Sequence, residues 1–168
     1  EPALTLSPAS GASGTMVTVT LTGYGEGETV DVRWLDATGG ASVAEATASV
    51  TGGASTSFSV PVGAEPGAHD VEAVGADGGW AAASFAVTGC VPSQAQAMPG
   101  DIVAVDCAGF AADAESALRW DDPLATPIAT GRTDADGEVS FWISVPEAAF
   151  GPHQAIANDG STEFAAPL

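Results

Sequence analysis

The chain has 168 residues, of which 22 are acidic, three are arginine and none is lysine, so its formal net charge is −19. This charge repels phosphate backbones and anionic lipid, which excludes nucleic acid and membrane surfaces as partners. The missing lysine also excludes Schiff-base and lysine-nucleophile chemistry. No apolar run approaches the ~18 residues of a membrane span, and a chain that opens at Glu1-Pro2 is expected to be a mature secreted product.

One stretch occurs twice. Residues 14–36 and 100–122 align at an offset of 86 without a gap, with seven identical positions among 23. An internal repeat of this length indicates two small domains rather than one. The predicted domains are residues 1–88 and 89–168.

The first copy predicts about seven short strands separated by Gly and Pro turns. They lie at 4–7, 15–22, 30–35, within 39–53, and at 56–60, 69–73 and 81–87. Alternation is clearest where Val17, Val19 and Leu21 alternate with threonines, which is typical of a half-buried strand.

The second copy repeats the order at 103–107, 117–120, 139–145, 152–157 and 162–165. Frequent short strands with turn signals predict a β-sandwich. The predicted fold class is all-β, with two antiparallel β-sandwich domains in tandem.

The two cysteines, Cys90 and Cys107, align at the same offset with Leu4 and Leu21 of the first copy. If that leucine pair touches across neighbouring strands, a disulfide can replace the apolar contact. The alternative is a two-cysteine metal site, which lacks further ligands nearby. We therefore predict a disulfide within the second domain, and with it an oxidising compartment.

The turn and strand signatures of the chain resemble those of a known family. They are Leu6-Ser7-Pro8, Gly14-Thr15, Val17-Thr18-Val19, Gly23-Tyr24, Gly27-Glu28-Thr29-Val30, Phe58-Ser59-Val60-Pro61 and Pro66-Gly67-Ala68-His69. The sequence resembles the immunoglobulin-like repeats of secreted and wall-associated actinobacterial proteins over nearly all of residues 3–88 and more weakly over 89–168. Trp34 and Trp120 fall on the third strand, where such sandwiches often bury a Trp. The resemblance implies a spacer, adhesive module or assembly unit that is secreted or at a cell surface.

The opening Ser7-Pro8-Ala9-Ser10-Gly11 is also similar to the start of the neocarzinostatin-type chromoprotein carriers. That family has a related sandwich, and the similarity implies carriage of a small ligand. Its domain carries two disulfides, whereas the first copy here has no cysteine.

Two tryptophans without a counterpart in the other copy are the main candidates for partner binding. Strand alternation places Trp80 and Trp142 on the outward side of their strands. The alternatives are a contact with a partner chain or sugar ring, and cover by a loop or the neighbouring domain.

Arg33 and Arg119 each directly precede a predicted core Trp, so alternation points both outward. We expect them to pair across strands with Asp or Glu. A partner-binding role shared by both copies is the alternative.

His69 and His153 follow Gly67 and Gly151 at matching places, one in each copy. The matched placement predicts a structural role, with each ring beside the preceding turn. No serine lies in a nucleophile-elbow motif, so we predict that the protein is not an enzyme.

The segment Asp134-Ala135-Asp136-Gly137-Glu138 resembles part of a calcium loop. Asp134, Asp136 and Glu138 are weak calcium candidates, with Asp121-Asp122 expected within reach, because calcium prefers several carboxylate oxygens. The same pattern is also an ordinary hairpin turn. No other cofactor is predicted.

These observations predict a non-catalytic extracellular structural or surface protein: a spacer, an adhesive or a self-assembling subunit. The partner is then a second copy, another extracellular protein or a glycan. The alternative is a module that recognises a carbohydrate or protein, and a small-ligand carrier comes after both.

Overall fold

The computed structural model describes residues 1–36, 39–147 and 151–168. The regular elements of these residues are all β-strands. Within the described residues there is no helix with the length and hydropathy needed to cross a membrane.

The chain divides into two compact units. Unit 1 comprises Glu1–Ala64 with Ala68–Val87, and unit 2 comprises Glu65–Gly67 with Thr88–Leu168. The strands up to Val87 are β1 (Ala3–Ser7), β2 (Ser10–Gly11), β3 (Met16–Thr22), β4 (Thr29–Asp36), β5 (Gly39–Thr47), β6 (Ala54–Ser59), β7 (Gly67–Gly75) and β8 (Trp80–Val87). Those that follow are β9 (Gly89–Pro92), β10 (Ile102–Ala108), β11 (Glu115–Trp120), β12 (Ala129–Arg132), β13 (Glu138–Ser144), β14 (Gln154–Asn158) and β15 (Glu163–Pro167).

Each unit packs a three-stranded sheet against a larger one. In unit 1 the sheets have the orders β1-β3-β6 and β2-β8-β7-β4-β5, and in unit 2 the orders are β13-β10-β9 and β12-β11-β14-β15. The β2–β8 pair is parallel and the other recorded pairs are antiparallel. This is the strand arrangement of an immunoglobulin-like sandwich, so the predicted all-β tandem fold is confirmed.

Alternation of apolar and polar residues builds the cores. In β3 the side chains of Val17, Val19 and Leu21 are fully buried, whereas the threonines between them are exposed. A sheet that is buried on one face and solvated on the other selects this pattern. Trp34 on β4, at 2% exposure, is the largest side chain of the unit 1 core.

Three strands lie outside the ranges predicted from the sequence. The two-residue β2 falls where a turn is expected, β9 precedes the first strand predicted for the second copy, and β12 falls in a segment with no clear pattern. All three are short and lie at the end of a sheet, where side-chain periodicity is uninformative.

The predicted disulfide joins Cys90 on β9 to Cys107 on β10. The two residues face each other in the register of that antiparallel pair, as Leu4 and Leu21 do in the pair of β1 with β3. All four side chains are buried. The disulfide therefore replaces an apolar cross-strand contact at an equivalent place, within one sheet rather than between two.

A buried carboxylate connects two turns of unit 1. Glu28 is 7% exposed, and its Oε2 accepts the N–H of Gly25 at 2.7 Å. Its Oε1 accepts the N–H of Asp77 at 3.0 Å, which lies in the turn between β7 and β8. Hydrogen bonds on both oxygens offset the cost of burying the charge.

Asp159 has a comparable role in unit 2. Its Oδ2 accepts the N–H of Ala111 at 2.9 Å, and its Oδ1 accepts the N–H groups of Ser161 and Thr162 at 2.9 and 2.7 Å. Desolvation acts to raise the pKa of this carboxyl, but the backbone hydrogen bonds outweigh it and lower the pKa from 3.8 to about 2.

Replacing Asp159 with Asn is expected to lower the free energy of unfolding of unit 2 by about 1 kcal/mol at neutral pH, after allowance for solvent screening. Because the folded-state pKa is depressed, this stabilisation is present above about pH 4 and is lost as the pH falls towards 2. Urea denaturation at several pH values checks both statements. Asp136→Asn, at an exposed carboxylate of the same unit, is the matched control, and a wild-type advantage that stays constant down to pH 2 would contradict the prediction.

Candidate functional site

Trp142 stands on the outward side of β13 and is 72% exposed. It lies directly opposite Ala104 in the register of β13 with β10. Ala104 faces the same side of the sheet but is only 7% exposed. Neighbouring groups therefore cover its side chain, although that side of the sheet faces outward. We call Trp142, Ala104, Ile102, Asp106 and Ser140 the Trp142 face.

The surroundings of Trp142 combine apolar and hydrogen-bonding groups. Ile102 is 63% exposed and lies two residues before Ala104 on β10, opposite Ser144 of β13. On the other side, Ser140 Oγ donates a hydrogen bond of 2.5 Å to Asp106 Oδ1. A flat aromatic ring beside a hydroxyl and a carboxylate can hold the apolar side of a ring and the polar groups at its edge.

Trp80 opens β8 in unit 1 and is 56% exposed. Gly75 N–H donates to Gly79 O at 2.7 Å and closes the hairpin between β7 and β8. Val74 and Trp80 are therefore the next pair of facing residues on β7 and β8. Val74 is half-buried. The sequence expectation that both tryptophans point outward agrees with these positions.

Carboxylates extend from Trp80 across the same sheet. The register places Glu45 opposite Asp31, and Asp31 opposite Val74. In the neighbouring row Arg33 lies opposite Glu72.

Arg33 pairs differently from the expectation. Its Nε contacts Asp31 Oδ2 at 2.7 Å, two residues back on its own strand rather than across the sheet. Ser42 Oγ on β5 donates to the other oxygen of Asp31 at 2.6 Å, and the hydrogen bonds from Ser42 and Arg33 lower the pKa of Asp31. The expected cross-strand ion pair is therefore wrong, because side chains i and i+2 of a strand share a face and Asp31 is within reach.

Arg119 also lacks the expected carboxylate. Its Nε donates a 3.0 Å hydrogen bond to the carbonyl oxygen of Ala125, in the loop between β11 and β12. The guanidinium thus fixes a loop. The partner-binding role predicted for Arg33 and Arg119 stays untested.

Each histidine packs on the Trp of its own unit. The ring centroids of His69 and Trp34 are 4.9 Å apart and stacked, and those of His153 and Trp120 are 5.3 Å apart. The sequence predicts each ring beside a turn, and in the structure each ring packs against a Trp.

His153 also contacts a carboxylate, with 2.7 Å between its Nδ1 and Asp121 Oδ2. The other oxygen of Asp121 accepts the N–H of Gln154 at 2.8 Å. Desolvation raises the pKa of Asp121, but the hydrogen bonds from Gln154 and His153 dominate and lower it. This pair fixes the start of β14 against the end of β11.

The predicted calcium candidates lie in a tight turn. Asp134 Oδ1 accepts the N–H groups of Asp136 and Glu138, both at 2.9 Å. Phe110 N–H donates to Gly137 O, as Tyr24 N–H does to Gly52 O in the equivalent turn of unit 1. One carboxylate oxygen of the loop is therefore already used by the turn itself.

Asp121 and Asp122 follow the last residue of β11, whereas Asp113 lies before the first residue of that strand and donates its N–H to Asp134 O in the turn. The expectation that Asp121-Asp122 lie near the turn is therefore wrong. In residues 1–36, 39–147 and 151–168 no three His, Cys, Asp or Glu side chains group as metal ligands would. Calcium binding stays an untested prediction.

A groove of about 400 Å³ opens beside Trp120 in unit 2, a feature that the sequence analysis misses. Its lining includes Gln96, Ala97, Met98, Val145 and His153. Trp120 is partly exposed, and its buried Nε1 has no hydrogen-bond partner in the described part of the chain. In unit 1 the segment after β1 forms β2 and pairs with β8, whereas residues 93–101 of unit 2 form no strand and contribute to the lining of the groove.

Comparison with known proteins identifies similar solved structures only. No protein-family model matches the sequence, and no curated protein matches it. The D0-D1 domain of intimin aligns with 99% of this chain and 95% of its own length, at 16% identity and a TM-score of 0.39. The adhesin InvE of Yersinia pseudotuberculosis aligns with 99% of this chain at 13% identity and a TM-score of 0.41. A BSP domain of a biofilm-associated protein aligns with 98%, at 15% identity and a TM-score of 0.37.

The chain spans 58% of the InvE structure and 28% of the BSP structure. Identities this low bear on fold alone. The immunoglobulin-like assignment rests on the strand order and the buried Trp34 described above.

Proposed function

We propose that this protein is a non-catalytic extracellular component, a structural or adhesive part of a cell surface, that contacts its partners through outer faces of its sheets. The observation that carries the proposal is that each unit holds one mostly exposed Trp on an outward sheet face, Trp80 at 56% and Trp142 at 72%. Exposing so large an apolar ring is costly in isolation, and Trp is enriched where proteins contact partners.

The acidic composition supports an extracellular setting. A net charge of −19 keeps single chains apart at low ionic strength, and salt screens that repulsion. The disulfide between Cys90 and Cys107 is the kind of bond that persists in oxidising compartments.

Native mass and shape test the structural role. We expect light scattering and negative-stain microscopy to show assemblies larger than the 16.4 kDa chain at high salt, because screening lets apolar contacts form. The same samples with and without calcium test the weak calcium candidates. Trp142→Ser is expected to reduce the assembled fraction without a change in thermal stability, because surface substitutions usually cost less than about 0.5 kcal/mol.

A specific observation favours recognition as the second candidate. The Trp142 face sets an exposed ring next to the hydrogen-bonded Asp106–Ser140 pair, which suits the apolar side and hydroxyl groups of a sugar. A chain that stays monomeric at every salt concentration but binds in a glycan screen, with loss in Trp142→Ser, supports this candidate. A monomer that binds nothing in glycan and protein screens contradicts both.

A further inference from the structure

The outward face of the larger sheet of unit 1 combines an exposed aromatic ring with acidic side chains. We call it the Trp80 face and define it by Trp80, Val74, Asp70, Glu72, Asp31 and Glu45. Alternation along β7 puts Asp70, Glu72 and Val74 on one side, while Val71 and Ala73 are fully buried on the other. The face thus belongs to one continuous sheet, β8-β7-β4-β5.

The charges of this face are unbalanced. Arg33 lies opposite Glu72 beside this face and is already bound to Asp31 at 2.7 Å. The side-chain carboxylates of Glu45, Asp70 and Glu72 make no hydrogen bond or ion pair in the described part of the chain. Three carboxylates therefore remain to interact with a partner, on the same side of the sheet as a ring whose own face attracts cations.

The combination selects the chemistry of the partner. A Lys or Arg side chain over Trp80 gains a cation–π contact, and a neighbouring cation gains an ion pair with Glu45 or Glu72. Each contact is weak at an exposed site, so a segment carrying several cations is needed for measurable binding. A neutral partner gains only an apolar contact with the ring of Trp80, and the carboxylates repel an anionic partner.

A second copy of the chain does not supply these cations. It has no lysine. Its three arginines are engaged: Arg33 with Asp31, Arg119 with the carbonyl of Ala125, and Arg132 3.9 Å from Asp113. The Trp80 face therefore fits a molecule other than this protein.

We propose that the Trp80 face docks a lysine- or arginine-bearing segment of another protein. This inference rests on the proposed extracellular contact role and names the partner chemistry of one of its two surfaces. The Trp142 face has a single carboxylate, Asp106, already bonded to Ser140, so it does not share this chemistry.

Titration of the whole chain with hexalysine and hexaarginine amides tests the proposal, by calorimetry in about 150 mM sodium chloride so that unspecific attraction is screened. Trp80→Ser is expected to weaken binding about fivefold, and Trp80→Phe less, because Phe keeps an aromatic face. Trp142→Ser, at the other exposed tryptophan, is the matched control and is expected to bind like the wild type. Amide chemical-shift changes on peptide addition are expected around positions 31, 45, 72, 74 and 80.

A second pair of variants separates this face from the overall charge. Glu45→Gln with Glu72→Gln removes two charges from the face, and Glu26→Gln with Glu115→Gln removes two from exposed positions elsewhere. We expect the first to weaken binding about fivefold and the second less than twofold, because only close charges act at this ionic strength. Equal losses in the two variants, equal binding by Trp80→Ser and Trp142→Ser, or no peptide binding at all would each overturn the proposal. Assembly or glycan binding that depends on Trp142 is unaffected by those results, so the proposed function fails or stands separately.

Discussion

Trp34→Ala is expected to lower the free energy of unfolding of unit 1 by about 4 kcal/mol, because it removes the largest side chain of a tightly packed core. Trp34 is 2% exposed, and its ring centroid lies 6.0 Å from that of Phe58 and 5.8 Å from that of Phe85. The indole also supports the stacked ring of His69. A loss of this size is a large part of the stability of a domain of this length, so unit 1 is expected to be largely unfolded at moderate temperature.

Hydrogen exchange measured by mass spectrometry distinguishes the two units in the intact chain. We expect Trp34→Ala to remove protection from β3, β4 and β7 while β10, β11 and β14 stay protected. Trp120→Ala, the same change at the aligned site, is expected to cost about 2 kcal/mol, since Trp120 is partly exposed beside the groove. Equal losses at the two sites would show that the groove does not reduce what Trp120 contributes.

Replacing Cys90 and Cys107 together with alanine is expected to destabilise unit 2 by about 3 kcal/mol. The bond closes a loop across a sequence separation of 17, and its removal frees the unfolded chain. Urea denaturation followed separately in each unit by hydrogen exchange measures the effect. Reductant added to the wild type is expected to reproduce the loss in unit 2 and leave unit 1 unchanged, because the described part of the chain has no other cysteine. A double-alanine variant as stable as the wild type would contradict the prediction.

The repeat and the alternation of side chains were enough to predict most of the fold. An ungapped offset brings Cys90 and Cys107 onto Leu4 and Leu21, and the structure pairs both sets across neighbouring strands. Period-two patterns likewise place Trp80 and Trp142 outward. These features are readable because each depends on a regular strand, in which sequence position fixes direction.

Features that depend on loops were not predictable in this way. The hydrogen bond from Ala111 N–H to Asp159 joins segments that are far apart in the sequence, and nothing in a single turn motif indicates it. The groove beside Trp120 is lined in part by a segment after β9 that forms no strand and has no side-chain periodicity to interpret. Arg33 and Arg119 were placed on the correct side, but their partners depend on what lies within reach of a long side chain.

The carboxylates of the Trp80 face fall between these two cases. Alternation points Asp31 and Glu72 outward, but only the strand order brings them together with Glu45 on one sheet. Because β5 is a neighbour of β4 and not of β6, Glu45 joins the side of the sandwich that carries Trp80.

The facing positions on the first two long strands of each unit show two ways of filling one core site. Position 4 faces 21 in one unit, and position 90 faces 107 in the other. Two leucines fill the site with apolar surface, and a cystine fills it with a covalent bond, but one cysteine opposite a leucine forms no bond and fills less volume than a second leucine. The two matched pairs are therefore two self-consistent ways to complete this core contact, and converting one into the other requires both positions to change together.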